Sequence, residues 1–162
     1  MPSEGKETLL FNTAVKVFES TAFAFVDPPS EDTGEAPSGE CSAYHIPFEG
    51  AFAGAILMKM PAELPVLLAS NMLGAEPDDP EVTEQSMEAM GELLNIICGN
   101  VLPLIAGPSE EFILFSPRAI SEKYYKEFLD RKRDEHPVTT RLVVEGFQVD
   151  VALVVYRWEL VK

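Results

Sequence analysis

Residues 79–108, DPEVTEQSMEAMGELLNIICGNVLPLIAGP, decide how this chain folds. Asp79 is a good N-cap, because its carboxylate can accept from the orphan amides of a first turn. Pro80 suits the first helical position, where no N–H is missed. Glu81 and Glu84 favour the positive end of the helix dipole. The spacing predicts a helix to about Ala106, stopped by Gly107-Pro108. At ~100° per residue, Met90, Leu93, Leu94, Ile97 and Val101 make one apolar side. Glu88, Glu92, Asn95 and Gly99 lie opposite, at i, i+4, i+7 and i+11, within about 60° of one another. Gly91 borders this polar stripe. Each glycine costs a helix up to ~1 kcal/mol relative to Ala. Beside a carboxylate and an amide, the missing side chains let another surface come close. A solvated outer face explains most such stripes. Asn95 fits that less well, since its amide competes for backbone groups in mid-helix.

Upstream, Leu9, Leu10, Ala14, Val15, Val17 and Phe18 recur at helical spacing and predict a first helix over 6–20. Residues 21–27 alternate aromatic and small side chains and run into Pro28-Pro29, a strand pattern whose phenylalanines belong to the core. Residues 28–40 carry Glu31, Asp32, Glu35 and Glu40 with no base, and read as an acidic loop. Residues 42–48 and 51–59 flank Glu49-Gly50 as a hairpin. Residues 62–73 form a short helix ended by Gly74. Downstream, 111–117 read as a strand and 118–137 as a charged excursion, helical over most of its length. Residues 138–145 and 147–158 make a hairpin about Glu145-Gly146. In its last strand Phe147, Val149, Val151, Leu153 and Val155 face one way, Gln148 and Asp150 the other. The apolar stretch Val149 to Tyr156 suits a covered sheet edge.

The two halves read alike: helix, strand ending in proline, polar excursion, hairpin. Phe25-Val26-Asp27-Pro28 echoes Leu114-Phe115-Ser116-Pro117. This order predicts a pseudo-symmetric α+β fold, one domain over 1–162, with helices packed on one face of a mainly antiparallel sheet.

The 162 residues hold 12 Lys and Arg against 27 Asp and Glu, a formal charge of −15, with 46% hydrophobic side chains. The apolar fraction excludes a disordered chain. The acidity argues against nucleic acid and anionic membrane as main partners. Cys41 and Cys98 stand in no ligand-spaced cluster, so no zinc site is suggested. A bridge between them is formally possible, but Cys98 lies in an apolar run that favours an inert core thiol. The N-terminus lacks a signal-peptide pattern, and no run of ~18 apolar residues is present, so a cytoplasmic protein is expected.

Glu92-Leu93-Leu94-Asn95 resembles the ExxN signature of the CheC/CheX/FliY family of chemotaxis phosphatases. Pro117 follows Asn95 by 22 residues, near where that family places a proline. The order of elements is similar over nearly the whole chain. The family pattern usually has Asp or Ser four residues before the Glu, where this chain has Glu88. CheC-like members carry two such motifs. Here Asn12 has Leu9 three residues before it, where Glu is needed, so one site is left, as in the single-site CheX branch.

The resemblance implies a substrate: the aspartyl phosphate of a CheY-type response regulator. It implies catalytic roles for Glu92 and Asn95, with Glu88, Gly91, Gly99 and Pro117 auxiliary. Asn95 would position the water and Glu92 would reach the regulator's lysine. No cofactor of the chain's own is implied, the Mg²⁺ being held by the regulator. It also implies a homodimer built through sheet edges.

Other chemistries fit less well. A ferritin-like metal site needs Glu-x-x-His pairs, and neither His45 nor His136 has a Glu three residues before it. No nucleophile elbow is present, and His45 reads as a core-edge residue. The alternative is a catalytically weak dimeric adaptor of the same fold in two-component signalling. Charge is segregated: residues 76–92 hold seven acids and no base, and 118–141 hold seven of the twelve bases. Two solvated faces explain this. A basic segment that steers an acidic regulator would also do so.

Overall fold

The computed structural model describes residues 3–28, 39–130 and 137–157. Its elements are α1 (Ser3–Ser20), β1 (Cys41–Glu49), β2 (Ala53–Pro61), α2 (Leu64–Leu73), α3 (Pro80–Ala106), β3 (Ile113–Leu114), β4 (Arg118–Ile120), α4 (Glu122–Asp130), β5 (Val138–Val144) and β6 (Phe147–Arg157). The strands form one antiparallel sheet in the order β3-β1-β2-β6-β5, with β4 also on β1. This is the α+β arrangement that the element order predicts. Most of the acidic 28–40 loop, and Arg131-Lys132-Arg133 of the basic segment, fall outside the described residues.

Each hairpin is set by its own turn. Glu145 and Gly146 have φ of +52° and +82°, so both central residues of a two-residue turn are left-handed. Gly146 accepts this freely. Glu145 is held by two bonds to one residue. Its N–H donates to the Phe25 carbonyl at 2.8 Å, and its carboxylate accepts from the Phe25 N–H at 2.7 Å.

The internal repeat is real and its parts are exchanged. The segment before the first hairpin bonds to the second: Val26 bridges Val144, and the Asp27 N–H donates to Val143 O at 2.9 Å. In the other direction β3 pairs with β1, Leu114 opposite Phe48 and Ile113 opposite Glu49. The hairpins then meet through β2 and β6, with Lys59 opposite Asp150.

Three expectations need correction. Residues 21–27 are not a strand but an irregular segment with one bridge. Its alternation is genuine with the sense inverted: Ala22, Ala24 and Val26 are buried, while Phe23 and Phe25 are about two-thirds exposed. Small side chains fit the tight space beside the helix layer, and the rings are turned out. Second, the strand expected over 111–117 is only Ile113–Leu114, because Pro117 has no N–H to continue the ladder. Third, β6 is no edge. It lies between β2 and β5, which is why both of its faces are apolar.

The helix α1 and the helices α2 and α3 pack on one face over a core that includes Leu10, Phe18, Phe48, Ile56, Leu94 and Val151, all buried. The helix α4 crosses to the reverse face, where Tyr125 and Phe128 cover Ala43, Leu57, Ala152 and Val154. Ser121 caps α4, its hydroxyl oxygen accepting from the Tyr124 N–H at 3.0 Å. By length and composition α3 could cross a membrane. In this fold its apolar side is the centre of the core. Cys98 is fully buried there, and burial pushes its thiol up to about 12; both cysteines are free thiols.

Candidate functional site

The helix α3 is fixed first at its start. The Asp79 carboxylate accepts from the Glu81 N–H at 2.9 Å, and Pro80 follows it. Met90, Leu93, Leu94, Ile97 and Val101 are all completely buried, which sets the rotation of the helix. Glu88, Glu92 and Asn95 are thereby turned to solvent. Among the described residues none of their side chains makes a hydrogen bond or ion pair, so all three are available to an incoming group.

Opposite this stripe stands the segment that joins β3 to β4. Leu114 lies across from Phe48 and Arg118 across from His45, so four steps on one strand match three on the other. One extra residue is accommodated in this stretch, a bulge of the kind that re-aims side chains beside a site. The Phe115 N–H still reaches Pro47 O at 2.9 Å, and Pro117 is thrown against α3. Gly91 makes this approach possible. A Cβ there would stand 3.2 Å from both Cβ and Cγ of Pro117.

The result is an open cleft of about 610 Å³. Met87, Glu88, Gly91, Glu92 and Asn95 line one side, and Leu114, Phe115, Ser116 and Pro117 the other. Five of the six residues singled out from the sequence therefore come together: Glu88, Gly91, Glu92, Asn95 and Pro117. Gly99 does not. It lies a turn beyond Asn95, where an added Cβ would be 3.9 Å from Leu114 Cδ1, an ordinary contact. Phe115 and Ser116 are cleft residues that the sequence reading did not select, although they immediately precede the bulge-forming Pro117.

Asn12, in the other half, is exposed near Leu9, Thr13 and Lys16 of α1 and Asn100 and Leu104 of α3, with no carboxylate among the described residues that line this spot. A larger cleft of about 750 Å³ opens between α4 and β5. Within it Arg141 pairs with Asp150 at 2.6 Å, and Lys59 sits over the Tyr125 ring at 5.4 Å. Among the described residues no three His, Cys, Asp or Glu side chains converge as a metal site.

His45 lies on the reverse face, buried, edge-on to Tyr124 and Phe128 with centroids 5.8 and 6.2 Å away. Its Nδ1 is buried without a hydrogen-bond partner. Burial, then the nearby Arg118 charge, holds its pKa below the usual histidine value of 6.5. The unfolded chain therefore binds this proton more readily than the folded one. Stability from this group is fully present above the unfolded pKa and is lost as the pH falls below about 6.5, by at most ~1.4 kcal/mol per pH unit. Denaturant melts at pH 7.5 and 5.5 should show a smaller loss of stability for His45→Phe than for wild type. Equal losses would remove His45 as the cause.

The chemotaxis phosphatase CheX family model matches residues 43–138, more than half of the chain and the span from β1 to the start of β5. No curated protein sequence matches it significantly. Among solved structures, a CheX from Desulfovibrio desulfuricans superposes with a TM-score of 0.67 at 13% identity, covering 93% of this chain and 99% of that one. A CheX from Vibrio vulnificus gives 0.65 at 15%, over 96% and 99%. A third, from Borrelia burgdorferi, was solved as a complex of CheX with CheY, BeF3 and Mg²⁺; it gives 0.63 at 18%, over 91% and 96%. At such identities these three attest the shared fold alone. The family match adds what they cannot, since it spans the helix with the ExxN pair and the bulge that faces it: the chain belongs to the CheX family of chemotaxis phosphatases.

Proposed function

We propose that this protein accelerates hydrolysis of the aspartyl phosphate on a CheY-type response regulator, with Asn95 and Glu92 as the groups that enter the regulator's site. The observation that carries the reading is the pair itself. Glu92 and Asn95 stand three residues apart on the exposed face of α3, on one wall of an open cleft. The family match and the Borrelia complex with CheY support the choice of partner.

Phosphoryl transfer is limited by positioning and charge, with little covalent work for a protein to do. An amide both donates and accepts, so Asn95 can hold a water in line with the leaving aspartate. The Glu92 carboxylate reaches a lysine of the regulator in a charge-assisted bond that fixes the approach. Mg²⁺ is held by the regulator, so this chain supplies geometry alone. The test is the decay of a phosphorylated CheY-type regulator with and without the protein; an unchanged decay rate overturns the reading. Glu92→Ala should lose both affinity and turnover. A charged hydrogen bond contributes ~1.5–3 kcal/mol, so kcat/KM should fall about 10- to 100-fold, measured under steady state.

Glu88 favours a second reading. It lines the cleft where the family pattern has Asp or Ser, and a Glu there is longer than the Asp or Ser of that pattern. A protein that docks on the phosphorylated regulator without turning it over would show tight binding with unchanged decay.

A further inference from the structure

The cleft has a neighbour. Beyond Phe115 and Ser116, which form a shared wall, a second groove of about 580 Å³ runs onto the reverse face of the sheet, between β4 and α4. It is lined by His45, Arg118 and Tyr124 among others, and by no carboxylate. That is unusual in a chain with a net charge of −15. The Arg118 guanidinium is exposed and makes no ion pair among the described residues. On the wall shared by the two clefts, Phe115 is 44% exposed. On its other side the first cleft is lined by Glu88, and exposed Glu84 and Glu81 precede it along α3.

We propose that the regulator's footprint extends from Glu92 and Asn95 over Phe115 into this second groove, where Arg118 binds a carboxylate of the regulator and Phe115 packs under an apolar side chain of it. The inference rests on the reading given above and adds to it a direction and a recognition chemistry. A specific interface buries ~800 Å² on each partner, more than one open cleft provides, so the footprint must spread to one side. Spreading along α3 sets a partner's carboxylates against three more. Spreading over Phe115 offers an exposed apolar anchor and then a free guanidinium, whose planar fork matches a carboxylate.

Steady-state dephosphorylation and direct titration of a phosphorylated regulator test this together, with Arg118→Glu, Arg118→Lys and Phe115→Ala. Arg118→Glu should raise KM and the binding Kd at least tenfold, with the loss falling on KM more than on kcat. Arg118→Lys should recover only part of the affinity, because the charge is kept and the planar fork is lost. Phe115→Ala should weaken binding several-fold, and added salt should weaken wild type more than Arg118→Glu. Matching thermal melts exclude misfolding as the cause. Wild-type values of KM and Kd in Arg118→Glu overturn the footprint while leaving the phosphatase intact. If wild type binds without turnover, the same Kd series decides the footprint alone. If it does not bind at all, both readings fall.

Discussion

Asn95→Ala should abolish catalysis without harming the fold. The loss expected is at least ~10²-fold in kcat, the cost of leaving a reacting water unplaced. The side chain is exposed and unbonded among the described residues, so nothing in the core depends on it. Ala is the better helix former, by a few tenths of a kcal/mol or more, so the melting temperature should stay level or rise slightly. Opposite movements of rate and stability identify a residue retained for chemistry. Regulator binding should persist, since Glu92 and the cleft walls remain. A variant that matches wild type in the decay assay would remove Asn95 from the mechanism. A variant that loses activity only because it unfolds would show it in the melt.

Gly54→Ala should have the largest effect on folding. Gly54 lies in β2 opposite Val155, beside a register shift, and a Cβ there would fall on the Val154 carbonyl oxygen and crowd Val155 Cα at 3.0 Å. The obstacle is backbone in an interior strand, paired on both sides, so it cannot yield as a flexible side chain would. Overpacking a core costs ~1–3 kcal/mol, and more when backbone must shift; the upper end or beyond is expected. Gly99→Ala is the matched control. Its Cβ would make an ordinary contact with Leu114 at 3.9 Å, so the helix gains up to ~1 kcal/mol. Urea melts of the two variants should move in opposite directions. Gly54→Ala melting with wild type would mean that β2 and β6 are less closely apposed than described.

Where local signals agreed, the sequence was a good guide. Asp79-Pro80 and Gly107 bound α3 as its caps require, and Gly74 ends α2 in a left-handed conformation with φ of +67°. The stripe of Glu88, Glu92 and Asn95 was legible because one helical period places both the core face and its opposite. What could not be read is what depends on partners far along the chain. The inverted burial at Phe23 and Phe25 follows from which surface the segment meets, and alternation alone does not give its sense. The central position of β6 follows from pairing with β2, about ninety residues earlier, so an apolar run that suited an edge belongs to the interior. The bulge before Pro117 needed the register on β1. The proline hinted at a break, and only the pairing shows that the break aims Pro117 at Gly91. That same distance dependence separates Gly99 from the site: on the helix it shares the stripe, but the facing wall ends before it.

The exchange of edge segments between the halves also bears on how the protein is made. On the ribosome the first hairpin emerges early, yet β3, which flanks β1, is about sixty-five residues behind it, and β6, which pairs with β2, is about ninety residues behind its partner. Residues 25–27 wait in turn for β5. Neither half can close its sheet alone, and contacts of such long range slow folding. A chain cut between α2 and α3 should yield two fragments that are unfolded apart and regain the sheet when mixed. The price of this wiring is late completion; its return is that a chain truncated before β5 lacks the sheet that holds α3 and its Glu92–Asn95 face in place.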